Sequence, residues 1–388
     1  MPGWELMGKE EKEALNEIFD KSNGVLYRYG FDQRRNNIFR VKDFEKQLAQ
    51  KLGVKHCLLV CNGTAALKIA LVAMGVKSGD EVITQSFTFV ATAEAALELG
   101  AKLVIVEVDK SLNMDPEDLK RKITNKTKVI IPVHMSGVAA KMDEVMEIAK
   151  EKNIYILEDS CQALGGLYKG KYLGTIGDAG AYSMDIGKII TTGEGGILVT
   201  NDDEIYLKAK EYSDHGHQDK PNVPRGEDTH SDWGFNYKIT ELQGAIGLAQ
   251  LKKMDYILQA QKKNKKIIKE ALQNINGIEF RQLPDAEGDA GDTLIFFVET
   301  KEKALEFARK FKEKGFGTKN LPDALNWHFA CNWQHIFYKF DEYKNKDLDE
   351  VWKQSSDLVQ RAIAIPIMVN MSDDQINNII KAVKETLI

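Results

Sequence analysis

The feature that most constrains the fold of this chain is an alternation of short apolar segments with helix-like segments through roughly the first 250 residues. Short apolar segments are typical of buried strands, and the helices between them are long enough to serve as crossover connections. Crossovers join parallel strands and cover both faces of the sheet. We therefore predict an α/β fold with a mostly parallel mixed sheet between helices. The predicted strands are Val54–Val60, Glu81–Thr84, Ala101–Val106, Val129–Val133, Ile154–Leu157 and Ile197–Thr200, and the helices between them include Thr64–Met74, Val90–Leu99 and Met142–Lys152.

The alternation stops near residue 255, and the remaining residues have the pattern of a smaller α+β unit. A chain of 388 residues also exceeds the usual size of a single core. We predict a large domain over residues 22–255 and a small C-terminal domain over residues 256–388, with residues 1–21 packed on the small domain. The elements behind this division are helices Gly8–Lys21, Thr240–Ile275, Lys301–Lys314 and Ser372–Leu387, strand Thr293–Val298, and a long polar loop over Ser213–Trp233.

The composition favours a cytoplasmic enzyme that acts on a small metabolite. The formal net charge is −5, which gives no reason to expect nucleic acid or an anionic membrane as a partner. The N-terminal residues do not resemble a secretory signal, and the apolar runs are too short to cross a membrane. The cysteines lie far apart without a repeated spacing, which indicates reduced thiols. They are Cys57, Cys61, Cys161 and Cys331.

Two segments at the ends of predicted strands have residues suited to a ligand site. Residues Cys61–Leu67 leave a strand and open a helix, where small residues and unpaired amides favour an anion such as phosphate. A tight turn without any ligand would have the same sequence features. Glu158 and Asp159 end another strand, at the edge where open α/β sheets bind ligands. A carboxylate at this edge can hold the pyridine nitrogen of a cofactor, or it can cap the next helix.

Lys188 stands among apolar and small residues, just before the glycine-rich turn that ends at Gly196. A lysine amine in such a setting is suited to forming a Schiff base. The alternative is a lysine whose stem lies on apolar surface while its ammonium group reaches water. The local sequence leaves both interpretations open.

Six segments taken in order resemble the DegT/DnrJ/EryC1/StrS sugar aminotransferases, which are fold-type-I pyridoxal phosphate enzymes. The similarity runs from about residue 40 to residue 255 and is weaker beyond that point. Six motifs in the same order are far more specific than any one of them. The segments are Asn62–Leu67, Phe87–Ala95, Pro132–Val145, Glu158–Gly166, Tyr182–Gly196 and Gly234–Leu251.

The resemblance implies pyridoxal 5'-phosphate as the cofactor and a role for each matching residue. Lys188 would bind the cofactor as a Schiff base, and Asp159 would pair with its pyridine nitrogen. Phe89 would stack on the ring, and Gln162 would contact the side of the ring that carries the hydroxyl group. The contacts to the phosphate would come from the amides of Gly63 and Thr64, the hydroxyl of Ser183 and, in a homodimer with shared active sites, Asn236 of the neighbouring subunit.

The resemblance further implies amino transfer from L-glutamate to a sugar carbonyl. One branch of the family consists of 3-dehydratases with a histidine in place of the lysine, and Lys188 argues against that branch. Transamination needs the lysine to move protons at the carbon that bears the amino group. A binding protein that had lost catalysis would be expected to lack Lys188 or Asp159, and both are present.

Two loops, Ser213–Trp233 and Thr318–His335, are most similar to those of the branch that makes 8-amino-3,8-dideoxy-manno-octulosonate, a lipopolysaccharide sugar. Its acceptor is an eight-carbon sugar acid with an aldehyde at C8. The alternative acceptor is a nucleotide-linked 4-keto-6-deoxy sugar, for which Trp327 or Trp333 could stack on the base. With Phe329, these tryptophans could equally belong to the core. The expected partners of the sugar-acid carboxylate are His215, His217, Arg225, Lys319 and His328.

A metal site is not expected. The spacing of His328, Cys331 and His335 would allow one, but a fourth ligand is missing nearby and the chemistry needs no metal. Four other polar residues have no assigned role at this point. They are His134, Asp185, Glu194 and Glu241.

Overall fold

A computed structural model describes residues 2–220 and 223–387 of the chain. Residue 1 of the predicted N-terminal segment, residues 221 and 222 of the predicted polar loop, and residue 388 of the predicted small domain lie outside the described residues. The described residues form twelve strands. They are β1 His56–Val60, β2 Glu81–Gln85, β3 Lys102–Val106, β4 Thr127–Ile131, β5 Tyr155–Asp159, β6 Leu167–Tyr168, β7 Lys171–Tyr172, β8 Ala179–Ser183, β9 Gly196–Thr200, β10 Glu279–Phe280, β11 Thr293–Phe297 and β12 Ala362–Pro366.

The same residues form α-helices of four to nineteen residues. In chain order they are α1 Pro2–Glu5, α2 Lys9–Ser22, α3 Arg40–Leu52, α4 Gly63–Ala73, α5 Val90–Leu97, α6 Pro116–Lys122, α7 Met142–Lys152, α8 Asp203–Tyr212, α9 Glu241–Leu251, α10 Met254–Leu272, α11 Lys301–Glu313, α12 Leu325–His328, α13 Gln334–Phe337, α14 Leu348–Val351, α15 Lys353–Val359 and α16 Asp373–Leu387.

The large sheet has seven strands in the order β1-β9-β8-β5-β4-β2-β3. The pairs from β8 through β5, β4 and β2 to β3 are parallel, whereas β9 is antiparallel to both β1 and β8. The strands are buried, as expected for a sheet with helices on both faces. The prediction of an α/β fold with a mostly parallel mixed sheet is confirmed.

The smaller sheet has the order β10-β11-β12, and both pairs are antiparallel. Strands β11 and β12 are buried and pack with α10, α11 and α16 around a separate apolar cluster that includes Ile268, Phe296, Phe307 and Val383. The other face of β11 and β12 belongs to the main core, through residues such as Ile295 and Ala364. The small sheet is thus fixed firmly against the large one.

Two local predictions differ from the structure. The single helix predicted over Thr240–Ile275 is wrong, because α9 ends at Leu251 and α10 begins at Met254. No glycine or proline marks this break; instead Lys253 turns inward, where its ammonium group donates to the Leu6 carbonyl (2.7 Å) and pairs with Glu11. Helix α2 packs mainly on α9, so the contacts of the N-terminal segment extend beyond residues 256–388.

All four cysteines are free thiols. No helix in the described parts of the chain has the length and apolar character that a membrane span requires.

Candidate active site

Seven of the eight predicted cofactor residues meet at the carboxyl ends of the parallel strands. They surround a cavity of about 450 Å³. Open α/β sheets bind ligands at this edge because the chain leaves the strands there through loops and helix N-termini. The predicted cofactor residues that line the cavity are Gly63, Thr64, Phe89, Asp159, Gln162, Ser183 and Lys188.

Asp159 ends β5 and is 4% exposed. One carboxylate oxygen accepts a hydrogen bond from the Thr92 hydroxyl (2.6 Å), and the other accepts from the Cys161 amide (3.0 Å). Two bonds do not exhaust a carboxylate, which can accept about four. The burial of Cys161, with the Asp159 charge beside it, raises the pKa of that thiol well above its usual value. The free capacity of Asp159 on the cavity wall suits the protonated pyridine nitrogen of pyridoxal phosphate.

The N-terminus of α4 has the shape of a phosphate site. The Asn62 side chain caps the helix by accepting from the Ala65 amide (2.8 Å), which leaves the earlier amides of Gly63 and Thr64 pointing out of the helix. A Cβ atom at Gly63 would lie 3.0 Å from both the Cys161 sulfur and the Ser183 Cβ, so only glycine fits well here. These amides and the helix dipole favour a phosphate group.

Lys188 lies in the loop between β8 and β9, where its amide donates to the Asp185 carbonyl (3.0 Å). The side chain is half-buried and lines the cavity. Within residues 2–220 and 223–387 its amine has neither an ion pair nor a hydrogen bond. An amine in this position is available to a cofactor carbonyl.

Two further cofactor residues complete the walls of the cavity. Gln162 accepts from the Ser136 amide (3.1 Å), which fixes the direction of its side chain. Phe89 is 43% exposed, and its ring faces the cavity 5.3 Å from the His328 ring. An aromatic side chain that opens onto the cavity is suited to stacking on a planar ring.

A second cavity of about 170 Å³ adjoins Lys188 on the side of the small domain. Lys319 lines it and is ion-paired with Asp292, and its ammonium group also lies 3.1 Å from the Thr293 hydroxyl. Burial works to raise the pKa of Asp292, but the charge and hydrogen bond of Lys319 hold it below its usual value. Lys319 and Asp292 therefore place an ion pair in the cavity that Lys188 lines.

His328 lines both cavities. Its Nδ1–H donates to the Ala324 carbonyl (3.0 Å), so Nε2 is the remaining polar atom of the ring. Burial lowers the pKa of His328, and the positive charges of Lys188 and Lys319 lower it further. The neutral ring offers an acceptor for a hydroxyl group. The sequence analysis expected His328 to be a positively charged partner of a carboxylate, whereas the structure favours a neutral ring.

The other three expected carboxylate partners do not line either cavity of the single chain. Arg225 is ion-paired with Asp214 (2.6 Å), and His217 lies 3.3 Å from Asp228. His215 is exposed, as is Asn236, the residue expected to reach a neighbouring subunit. The structure thus separates the sequence candidates into a group around Lys188 and a group on the outer surface.

The four unassigned residues also separate into two groups. His134 is fully buried: its Nδ1 accepts from the Ala140 amide (3.1 Å), so its Nε2–H donates to Glu158 (2.9 Å). Glu241 is buried against Arg35 (2.7 Å). These two residues are structural. Asp185 and Glu194, in contrast, line the larger cavity.

The structure distinguishes between core and ligand-binding roles for two of the three aromatic residues discussed above, and it also bears on the metal site. Trp333 is fully buried and Phe329 is 1% exposed, so both belong to the core, whereas Trp327 is 61% exposed. Cys331 is buried, with its thiol directed at the Leu348 carbonyl (3.2 Å). Among residues 2–220 and 223–387, no group of three or more His, Cys, Asp or Glu side chains is placed to hold a metal ion.

The sequence analysis missed Thr92 and Asn62, which position Asp159 and the helix N-terminus. Thr92 lies within the helix that follows Phe89, and its spacing of four from Thr88 was the available signal: the two hydroxyls are 2.8 Å apart. Asn62 is the residue type expected at a helix N-cap.

Comparison with known proteins gives the family of the chain. Residues 32–384 match the sequence profile of the DegT/DnrJ/EryC1/StrS aminotransferase family. GDP-perosamine synthase of Escherichia coli O157:H7 is 37% identical over 274 residues, which is 70% of each chain. An uncharacterized protein of Methanocaldococcus jannaschii is 33% identical over 387 residues, covering 96% of this chain and 95% of that protein.

A solved structure shows the same architecture over nearly the whole chain. It is PseC of Helicobacter pylori, an aminotransferase involved in the biosynthesis of pseudoaminic acid, with a TM-score of 0.85, 25% identity and coverage of 98% of this chain and 97% of that one. The amine of Lys188, the carboxylate of Asp159 and the N-terminus of α4 fit pyridoxal phosphate, the cofactor of such enzymes. The chain belongs to the DegT/DnrJ/EryC1/StrS family and is a sugar aminotransferase that uses pyridoxal phosphate.

Proposed function

We propose that the protein transfers the amino group of L-glutamate to C8 of 8-oxo-3,8-dideoxy-manno-octulosonate, giving 8-amino-3,8-dideoxy-manno-octulosonate for lipopolysaccharide in the cytoplasm. The observation that carries this proposal is the position of Lys319, whose ammonium group, ion-paired with Asp292, lines the cavity beside Lys188. The two acceptor loops, which resemble those of the octulosonate branch, add to it.

Two side chains and two backbone amides hold the cofactor and support the chemistry in this proposal. Pyridoxal phosphate, when bound, supplies a carbonyl for the amino group and an electron-withdrawing ring. Lys188 holds the cofactor through its Nζ atom, and in each half-reaction this amine moves a proton at the carbon that carries the amino group. Asp159 keeps the pyridine nitrogen protonated, and the amides of Gly63 and Thr64 hold the phosphate so that the ring stays in place.

Lys319 serves both substrates because they occupy the same site in turn. In a ping-pong reaction glutamate donates its amino group and leaves as 2-oxoglutarate before the acceptor binds. Glutamate and the sugar acid both carry a carboxylate, which a single ammonium group can hold through charge-assisted hydrogen bonds. The neutral His328 ring, with Nε2 available, is suited to a sugar hydroxyl next to that carboxylate.

We further propose a homodimer in which each subunit completes the active site of the other. Asn236 is exposed and lies outside both cavities of its own chain, as expected if it contacts the phosphate of the neighbouring subunit. The adjoining side chains of Trp233 and Phe235 are 66% and 46% exposed. Exposed aromatic side chains that lie together are typical of protein interfaces. His215, His217 and Arg225 would then face the partner's acceptor.

A nucleotide-linked 4-keto-6-deoxy sugar is the second candidate acceptor. The observation in its favour is the 37% identity to a GDP-perosamine synthase. The exposed Trp327 could stack on a nucleotide base. This acceptor would use the diphosphate, in place of a carboxylate, as its anionic group.

The deciding experiment compares the two acceptors on the purified holoenzyme. The rate of 2-oxoglutarate formation from glutamate is measured with 8-oxo-3,8-dideoxy-manno-octulosonate and, separately, with GDP-4-keto-6-deoxy-mannose. We expect kcat/KM for the sugar acid to be larger by at least about 100-fold, the discrimination that a buried charged contact supports. Turnover of the nucleotide sugar alone would overturn the substrate assignment and favour the second candidate.

A further inference from the structure

The N-terminal segment Pro2–Glu5 lies directly behind the loop that carries Lys188. Pro2 and Gly3 are buried, and the Gly3 amide donates to the carbonyl of Lys188 itself (3.0 Å). No part of the chemistry described above uses this contact. It fixes the main chain at the residue whose side chain must reach the cofactor.

The packing at Gly3 leaves no space for a side chain. A Cβ atom there would lie 2.8 Å from the Gln250 side-chain oxygen, 2.9 Å from the Thr191 nitrogen and 3.1 Å from the Ile189 carbonyl oxygen. Two of these three atoms are main-chain atoms of the residues that follow Lys188. Because backbone cannot move aside as a long side chain can, any substitution at Gly3 would displace the lysine loop, the segment or both.

The same segment is anchored to the small sheet on its other side. One Glu5 oxygen accepts the amides of both Val369 and Asn370 (2.9 Å each). These residues follow shortly after β12, whose Ala364 carbonyl accepts the Lys319 amide (2.8 Å). The segment therefore connects the backbone of the cofactor lysine with the strand that positions Lys319.

We propose that Pro2–Glu5 is a positioning element for Lys188, in which Gly3 fixes the lysine backbone and Glu5 holds the small sheet in register with it. This inference rests on the proposed role of Lys188. The segment acts through the direction of the lysine side chain and touches neither cofactor nor substrate. Gly3 is accordingly a positioning residue.

The test compares Gly3→Ala with Gly8→Ala in the holoenzyme. Gly8 is the matched control, because no atom lies within 4 Å of a Cβ built on it. We expect Gly3→Ala to lower kcat by about tenfold or more in both half-reactions, since small misplacement of a reacting group is costly, while KM for glutamate changes less than about twofold. The pH dependence of the bound cofactor's absorbance should also shift. Gly8→Ala should match the wild type in every measurement.

Equal kcat values and equal absorbance profiles for Gly3→Ala and Gly8→Ala would overturn the proposal. If Gly3→Ala does not fold, Glu5→Gln decides, because it weakens the hold on Val369 and Asn370 without adding volume. A wild-type kcat and absorbance profile for Glu5→Gln would then contradict the proposal. Lys188→Ala in the same series distinguishes failure of the positioning proposal from failure of the proposed function. If Lys188→Ala remains active, the proposed function itself is wrong.

Discussion

The two walls of the active-site cavity are built in different ways. The side that we propose binds the cofactor, called the cofactor wall, consists of residues at strand ends, at a helix N-terminus and in a loop between strands, such as Gly63, Asp159 and Lys188. The side that we propose binds the acceptor, called the acceptor wall, consists of Lys319 and His328, which come from a long segment with only short helices between α11 and β12. Residues on loops tolerate changes of shape better than residues fixed at strand ends, so the acceptor wall can change without disturbing the cofactor wall.

Among changes to the cofactor wall, loss of Lys188 should lower the amino-transfer rate the most. Lys188→Ala removes both the covalent link to the cofactor and the proton carrier, so we expect the amino-transfer rate to fall by more than about 10⁴-fold. The yellow absorbance of the lysine-bound cofactor should disappear as well. Lys312→Ala, an exposed position on α11, is the control. Retained turnover in Lys188→Ala would mean that another group carries the chemistry.

Asp159→Asn, in the same wall, should lower kcat by less than Lys188→Ala does. The amide keeps the size of the side chain but loses the charge that holds the proton on the pyridine nitrogen. We expect kcat to fall on the order of 10²-fold, the range seen when one electrostatic contact is removed from an active site. Pre-steady-state absorbance should locate the loss in the step that removes the proton. An unchanged kcat would contradict the pairing of Asp159 with the ring.

Lys319→Gln should affect the acceptor wall and leave the cofactor wall intact. A charge-assisted hydrogen bond is worth about 1.5–3 kcal/mol, so KM for glutamate and for the sugar acid should each rise by roughly ten- to hundredfold. The cofactor absorbance should not change. Because Asp292 would lose its buried partner, the double variant Lys319→Gln/Asp292→Asn is measured beside it. A rise in KM for only one of the substrates would show that they do not share this contact.

The smallest expected effect is the pH dependence that arises from His328. Its pKa is lowered from the ordinary 6.5, chiefly by burial, so the unfolded chain binds this proton more readily than the folded one. The free energy of unfolding should therefore decrease as the pH falls below 6.5, until the pH passes the folded pKa. Denaturant titrations of the wild type and of His328→Gln at several pH values check this. An equally steep decrease in His328→Gln would contradict it.

The cofactor wall is also the part of the site that the sequence predicted best. Asp159 follows a clearly apolar strand, and Gly63 opens a helix after another strand, so their shared position at one edge follows from the direction of the strands. The side chains of the acceptor wall have no such pattern. Of five expected carboxylate partners, Lys319 and His328 lie at the cavities, because the loop conformations depend on tertiary contacts that short-range patterns do not encode.

Two features of the fold escaped prediction for physical reasons. Strand β8 is made largely of small residues, and Gly180 packs so closely that a Cβ atom would lie 2.0 Å from the Gly174 carbonyl oxygen. Such a strand lacks the branched apolar residues by which buried strands are recognised. At the break between α9 and α10, Lys253 pairs with Glu11, a contact between residues far apart in the chain that the local sequence does not show.

The most direct test of the proposed cofactor site is to identify the residue that binds pyridoxal phosphate. The holoenzyme is reduced with borohydride, which makes the link between lysine and pyridoxal phosphate permanent, and the peptides are mapped by mass spectrometry. We expect the modified lysine to be Lys188, which lines both cavities. Quantitative modification of a different lysine, with Lys188 unmodified, would contradict it.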